Sequence, residues 1–178
     1  VTAAGFPRSG FLYTVLGIAG EHGYPFAPFG FRYVDATMGG ARQDGLAEGN
    51  LHSFFSLTNR PTVFAFAESC YNPAATWQGT IRAYASLMAK GKALGPYVAL
   101  LTDLEEAASA EHPQYAARDA ALVRAEFDWQ RLEGAGDFHE NRDWLRGYLL
   151  AQRHYLSLAR ATDEATFRAQ LARFKDEV

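Results

Sequence analysis

The residues best suited to chemistry stand near the start of the chain, in the hexapeptide Gly5-Phe6-Pro7-Arg8-Ser9-Gly10. It follows a short apolar segment and runs into an apolar stretch that ends at Ala19, an order typical of a strand, a loop and a helix. A glycine at each end lets the backbone approach a ligand closely. The amides of such a loop and the guanidinium of Arg8 suit phosphate oxygens. The hexapeptide therefore predicts a phosphate-binding loop, and a plain strand-to-helix turn is the alternative.

Histidine is the next residue type that could do chemistry, because an imidazole exchanges a proton near neutral pH. The chain has five, His22, His52, His112, His139 and His154. The five histidines show no paired metal-ligand spacing, and the single cysteine excludes a cysteine-rich zinc site. The sequence therefore predicts no metal site.

Length and composition limit the classes of protein to which these residues can belong. With 178 residues, 48% of them hydrophobic and 21% charged, the chain is expected to form one domain, residues 1–178. The net charge of −3 argues against a nucleic-acid partner and against an acidic membrane surface. No apolar run is long enough to span a membrane. A single cysteine suits a reducing compartment, so a cytoplasmic location is expected.

The first part of the chain, residues 1–102, is predicted to form a sheet. Residues 62–67 are a continuous apolar run after Pro61, which favours a parallel strand covered on both faces. A helix is expected after Asn72-Pro73, because apolar residues then recur at helical spacing, and residues 97–101 are the next predicted strand. This strand–helix–strand unit predicts an α/β fold, a parallel sheet with flanking helices.

The remaining residues, 103–178, are predicted to be mainly helical. One apolar stripe at helical spacing consists of Ala116, Ala120, Val123 and Phe127. The aromatic side chains of this part allow two interpretations: they face the sheet, or they line an apolar groove for a protein partner or a second copy of the chain. These aromatic residues are Trp129, Trp144, Tyr148 and Tyr155. A non-catalytic interaction module or a homo-oligomer subunit therefore stays open.

Three segments together resemble the sulfotransferases that use 3′-phosphoadenylyl sulfate. The hexapeptide ending at Gly10 is similar to the loop of that family that binds the 5′-phosphosulfate group. The segment Leu51-His52-Ser53-Phe54-Phe55 is similar to its Lys-Thr-His-x-x-Phe segment, and the run that ends in Asn72-Pro73 is similar to the strand before its Arg-Asn-Pro. The resemblance covers the first half of the chain and implies a P-loop-like α/β fold.

The resemblance implies transfer of a sulfuryl group from this nucleotide cofactor to a small-molecule acceptor. The residues that would bind the cofactor are Pro7, Arg8, Ser9, Gly10 and Thr80. His52 would be the catalytic base, and Arg8 would offset the charge that grows on the leaving phosphate. Two departures remove polar contacts to phosphate: Phe11-Leu12 stands where the family has two threonines, and Tyr71 stands where it has an arginine.

Residues 60–73 also resemble the first strand and active-site turn of thioredoxin-like proteins. In that arrangement Cys70 would lie at a helix N-terminus, whose dipole favours the thiolate. The chain has no second cysteine, and no proline follows Pro113 to supply the cis-proline loop of that fold. A lone cysteine after a buried strand also acts as a small hydrophobic residue. Redox chemistry at Cys70 is therefore an alternative to sulfuryl transfer.

Overall fold

A computed structural model describes residues 8–13, 30–52, 60–109, 115–140 and 142–177. In chain order the elements are β1 (Arg8–Tyr13), α1 (Phe31–Gln43), β2 (Leu46–His52), α2 (Arg60–Tyr71), α3 (Trp77–Met88), a 3-10 turn (Gly91–Ala93), α4 (Leu94–Ser109), α5 (Tyr115–Glu133), α6 (Arg142–Ala159) and α7 (Glu164–Glu177). The chain divides after Leu87 into two compact units.

The described residues are predominantly helical, so the predicted α/β fold with a parallel sheet and flanking helices is wrong. Residues 62–67 lie inside α2, and residues 97–101 lie inside α4. Within the described ranges, β1 and β2 pair in parallel as an isolated pair of strands, with Tyr13 opposite His52. The buried strand–helix–strand unit that carried the prediction is therefore a succession of helices.

The physical reason is that a continuous apolar run has the same composition in a buried strand and in a buried helix. In α2 the burial follows the helical period, because Thr62, Ala65 and Ser69 are buried on one face. The apolar run of α4 is part of a 16-residue helix, which is longer than an ordinary strand. Length and burial period therefore decide in favour of helix at both places.

The first unit packs three of its helices around Tyr84 of α3. The Tyr84 ring is buried, and its centroid lies 6.3 Å from that of Phe31 in α1 and 5.5 Å from that of Phe64 in α2. Ile81 of α3 and Val34 of α1 are fully buried as well. The helices α1, α2 and α3 thus share one small hydrophobic core.

The start of α1 is fixed to α2 by a buried hydrogen bond. The backbone N–H of Gly30 donates to Oγ1 of Thr62 over 3.2 Å. A Cβ atom at Gly30 would lie 3.0 Å from Cγ2 of Thr62, which is tighter than an ordinary Cβ contact, so a larger residue at position 30 would push the Thr62 side chain aside. Farther along, Nη1 of Arg42 donates to the carbonyl oxygen of Ser69 over 2.9 Å. The two helices are therefore tied together at both ends.

The substitution Thr62→Val is expected to lower the free energy of unfolding by about 1–2 kcal/mol, because it leaves the buried N–H of Gly30 without its acceptor. The matched control is Thr102→Val in α4, where the hydroxyl only donates to the carbonyl oxygen of Val98 in the same helix. Chemical denaturation followed by circular dichroism measures both changes. Equal losses in the two variants would contradict a special role for the Gly30–Thr62 bond.

The second unit is built on α5, which packs along α4 on one side and against α6 on the other, while α7 packs on α6. Its core consists mainly of aliphatic side chains from three helices: Leu100, Leu101 and Leu104 of α4, Leu122 and Leu132 of α5, and Leu145, Leu149 and Leu156 of α6. Among the described helices of the whole chain, none has the length and apolarity needed to cross a membrane.

The segment after α5 closes the second unit against the start of α4. The Tyr97 ring lies edge-on to that of Phe138, with centroids 4.8 Å apart. The Tyr97 hydroxyl donates to Oε2 of Glu140 over 3.2 Å. Two backbone hydrogen bonds support this contact, from Lys90 to Asp137 and from His139 to Met88. Residues 137–140 are therefore fixed to the beginning of α4.

Candidate functional site

The structure places the predicted catalytic base and most of the predicted cofactor loop on the two paired strands. Arg8, Ser9 and Gly10 begin β1, His52 ends β2, and Pro7 lies outside the described residues. The parallel register sets Arg8 opposite Leu46 and Tyr13 opposite His52. At the rise of a strand the backbones of Arg8 and His52 are therefore about 17 Å apart along the pair. The roles assigned to these residues stay predictions.

Two other residues of the sequence-based hypotheses lie in helices. Thr80 is buried within α3, with 4% of its surface exposed, and its role in binding a 3′-phosphate stays a prediction. Cys70 is exposed in the last turn of α2, and not at the helix N-terminus that the redox alternative requires. The P-loop-like fold is corrected as well, because residues 62–67 form helix where that fold needs a strand. The predictions of transferase activity and of a nucleotide cofactor are therefore no longer supported by the fold.

A cleft of about 690 Å³ opens in the second unit between the 3-10 turn and the segment after α5. Its charged lining consists of Lys92, Arg131 and Asp137, all of which are exposed. Arg131 is already paired with Asp128, with Nη1 and Oδ1 3.0 Å apart. Nor does the described part of the chain contain a group of three His, Cys, Asp or Glu residues that could hold a metal ion. The cleft therefore lacks the buried polar groups that orient a small ligand.

The outer face of α5 is a different kind of surface, because apolar side chains lie in water there. Phe127 is 63% exposed and Val123 is 53% exposed. Ala116 and Ala120 are exposed on the same face, since their spacing places all four residues along one line of the helix. We call these four residues the outer stripe. The opposite face of α5 supplies Leu122, Trp129 and Leu132 to the core.

Charged side chains border the outer stripe, and the two borders differ in sign. Arg124 and Arg131 lie on the border toward α4, and each is about half exposed. Asp119 and Glu126 lie on the border toward α6 and are 45% and 32% exposed. Charged residues flank the apolar seam in the same way, at positions e and g, in coiled coils.

Two of the border residues, Arg124 and Glu126, also hold α5 to its neighbours. Arg124 donates to Oδ1 of Asp103 over 2.8 Å and to Oε2 of Glu106 over 2.7 Å, which ties α5 to α4. Burial raises the pKa of Asp103, and the hydrogen bond from Arg124 opposes that rise. On the other side Glu126 accepts a hydrogen bond from Arg153 of α6. The outer stripe is therefore presented on a helix fixed from both sides.

The groove expected from the aromatic residues of this part is largely filled. Trp129 and Tyr148 are buried, and Trp144 packs on Tyr148 with ring centroids 6.0 Å apart. The guanidinium of Arg118 lies 5.1 Å above the ring of Tyr155. The exposed apolar side chains of this part lie instead on the outer stripe, where the sequence predicted no exposed surface. The signal that could have found it is the pair of oppositely charged borders.

Comparisons with protein-family models, with curated proteins and with solved structures find no match.

Proposed function

We propose that this chain is a non-catalytic protein-interaction module that docks a partner helix on the outer stripe of α5. The observation that carries the proposal is the exposure of Phe127 and Val123 on one line of a helix that is held rigidly by α4 and α6. A single exposed apolar residue is ordinary on a protein surface. Two large ones aligned with exposed alanines match the helix-docking mode of recognition, in which anchors recur at helical spacing.

The shape of the outer stripe favours a helix as the docked element. Ala116 and Ala120 are small, so a second helix can approach α5 closely at its N-terminal half. Val123 and Phe127 supply the apolar area, and full burial of each such side chain is worth about 1.5–3 kcal/mol. Association itself costs at least about 4 kcal/mol in lost translational and rotational freedom. The stripe therefore supports weak, reversible binding, as expected of an interaction module.

Photo-crosslinking at the stripe tests this proposal. With p-benzoylphenylalanine in place of Phe127, illumination of the full chain in the producing cells is expected to give protein–protein adducts, because the ring lies in the interface. The matched control carries the same residue in place of Phe167, which is 44% exposed on α7 and lies outside the stripe. Adducts are separated by mass on denaturing gels and identified by mass spectrometry. Equal adduct yields at the two positions would refute the proposal.

Phe127→Lys provides a second readout of the proposal. Because the ring is mostly in water, the substitution is expected to change the free energy of unfolding by no more than about 0.5 kcal/mol. It should nevertheless abolish the adducts formed by p-benzoylphenylalanine in place of Val123. A variant that unfolds instead would show that Phe127 supports the fold rather than a partner.

A further inference from the structure

We propose that the partner on the outer stripe is a second copy of this chain, docked with the two α5 helices parallel. This inference rests on the proposed function and adds the identity and the orientation of the partner. It is carried by the charges on the borders of the stripe, which are complementary to those of another copy in one orientation only.

The stripe has the spacing of a coiled-coil seam. If Ala120 and Phe127 take heptad positions a, then Ala116 and Val123 take positions d. The same numbering places two carboxylates, Asp119 and Glu126, at positions g. It places two arginines, Arg124 and Arg131, at positions e. Positions e and g are the ones whose charges determine partner choice and orientation in coiled coils.

Orientation decides which borders meet. When two helices run parallel about a two-fold axis, the g border of each faces the e border of the other. Asp119 then lies opposite Arg124 of the second copy, and Glu126 lies opposite Arg131 of the second copy. When the helices run antiparallel, equal borders meet, so carboxylates face carboxylates and arginines face arginines. Opposing like charges are unfavourable, so the borders select the parallel dimer.

The border residues can make these contacts while keeping their bonds within the chain. A guanidinium has five N–H donors, and a carboxylate can accept several hydrogen bonds. Arg131 and Arg124 each keep about half of their side-chain surface in water. Networks that share a charge in this way are stronger than isolated surface pairs. The intramolecular pairs therefore do not block the second copy.

The neighbouring helices extend the complementarity beyond α5. The same two-fold axis sets α4 of one copy alongside α6 of the other. Glu106 of α4 is 41% exposed, and Arg153 of α6 is 46% exposed. In this second row of side chains Glu106 of one copy thus lies on the side that faces Arg153 of the other, so opposite charges meet there as well. A single two-fold axis therefore brings opposite charges together in both rows of side chains.

Sedimentation velocity of the full chain over a concentration series tests the inference. The parent protein is expected to shift from monomer toward dimer as its concentration rises, and less so at about 1 M salt, where exposed charges are screened. Glu126→Arg and Arg131→Glu each set like charges opposite one another, so each is expected to weaken the dimer by about tenfold or more. The double variant restores opposite charges and is expected to recover dimerisation. Circular dichroism establishes that each variant is folded.

The remaining outcomes separate this inference from the proposed function. A dimer that strengthens in Glu126→Arg would show antiparallel pairing and overturn the inference, because the new arginine would then face a carboxylate border. A parent that stays monomeric, while the crosslinker at Phe127 captures a different protein, would overturn the inference and leave the proposed function standing. If neither self-association nor position-specific adducts occur, both fail. Phe127→Lys should abolish the dimer whichever charges stand on the two borders. A dimer that survives this substitution would place the interface elsewhere.

Discussion

Tyr97→Ala is expected to lower the free energy of unfolding of the second unit by about 3–5 kcal/mol, the range for removing a buried aromatic side chain. Tyr97 is fully buried near the start of α4. Alanine there removes the edge-on contact with Phe138 and the hydrogen bond to Glu140 together. The segment 137–140 is held against α4 by these contacts. Loss of the Tyr97 side chain should therefore expose the end of the core as well as open a cavity.

Tyr97→Phe is the matched control for that experiment. It keeps the ring and its contact with Phe138 but removes the hydroxyl that donates to Glu140, so a loss of about 1 kcal/mol is expected. Urea denaturation measures the two variants, and hydrogen exchange of the amides of α4, α5 and α6 assigns the loss to the second unit. If Tyr97→Ala left exchange in those helices unchanged, the aromatic contact would not be part of the core.

The helix after Asn72-Pro73 shows what the sequence could predict about the fold. The apolar residues of that segment recur at helical spacing, and α3 buries Ile81 and Tyr84 at that spacing. After Thr62, residues 63–67 contain no polar residue that would reveal a period, so composition alone favoured a strand. Only the packing of α2 against α1, with Thr62 beside Gly30, shows which period the chain adopts.

The outer stripe shows why the candidate site was harder to predict than the helices. The line of residues from Ala116 to Phe127 is evident in the sequence, but α5 has a second apolar face that contains Leu122, Trp129 and Leu132. Local periodicity cannot tell which of two apolar faces packs inside. That choice depends on α4 and α6, which cover the second face and leave the stripe in water. The position of a surface is thus a tertiary property even when its residues form a local pattern.

Arg124→Met is expected to destabilise the second unit by about 1–2 kcal/mol near neutral pH, and by less near pH 4. Arg124 donates to Asp103, a carboxylate that is mostly buried between α4 and α5. Without the guanidinium, ionised Asp103 is left with less compensation for its burial, and a buried charged group without its partner is costly. The protonated carboxyl tolerates burial better, so acid should reduce the difference between parent and variant.

The sign of this pH dependence follows from the pKa of Asp103. Burial raises the pKa in the folded state above the ordinary value of 3.8, so the native protein binds the proton more tightly than the unfolded chain. The stability that Asp103 contributes is therefore greatest at pH values below its ordinary pKa of 3.8, and it is lost as the pH rises through the raised pKa of the folded state. Arg124 lowers the pKa of Asp103 in the folded state, and so narrows the pH range between the unfolded and the folded pKa of this carboxyl. In Arg124→Met this pH range extends further toward neutral pH. The free energy of unfolding of the variant therefore falls furthest below that of the parent at neutral pH.

Urea denaturation at several pH values, at protein concentrations low enough to keep the chain monomeric, measures the difference between parent and Arg124→Met. Adding Asp103→Asn to Arg124→Met removes the buried charge. The double variant should therefore recover part of the lost free energy of unfolding, and its difference from the parent should not grow as the pH rises. Arg168→Met is the control, because its pair with Glu164 is 76% exposed on both sides and such pairs contribute little. A difference for Arg124→Met that stayed constant from acid to neutral pH would mean that Asp103 is not the group left uncompensated. Arg124 would then hold α4 to α5 chiefly through Glu106, the more exposed of its two carboxylate partners.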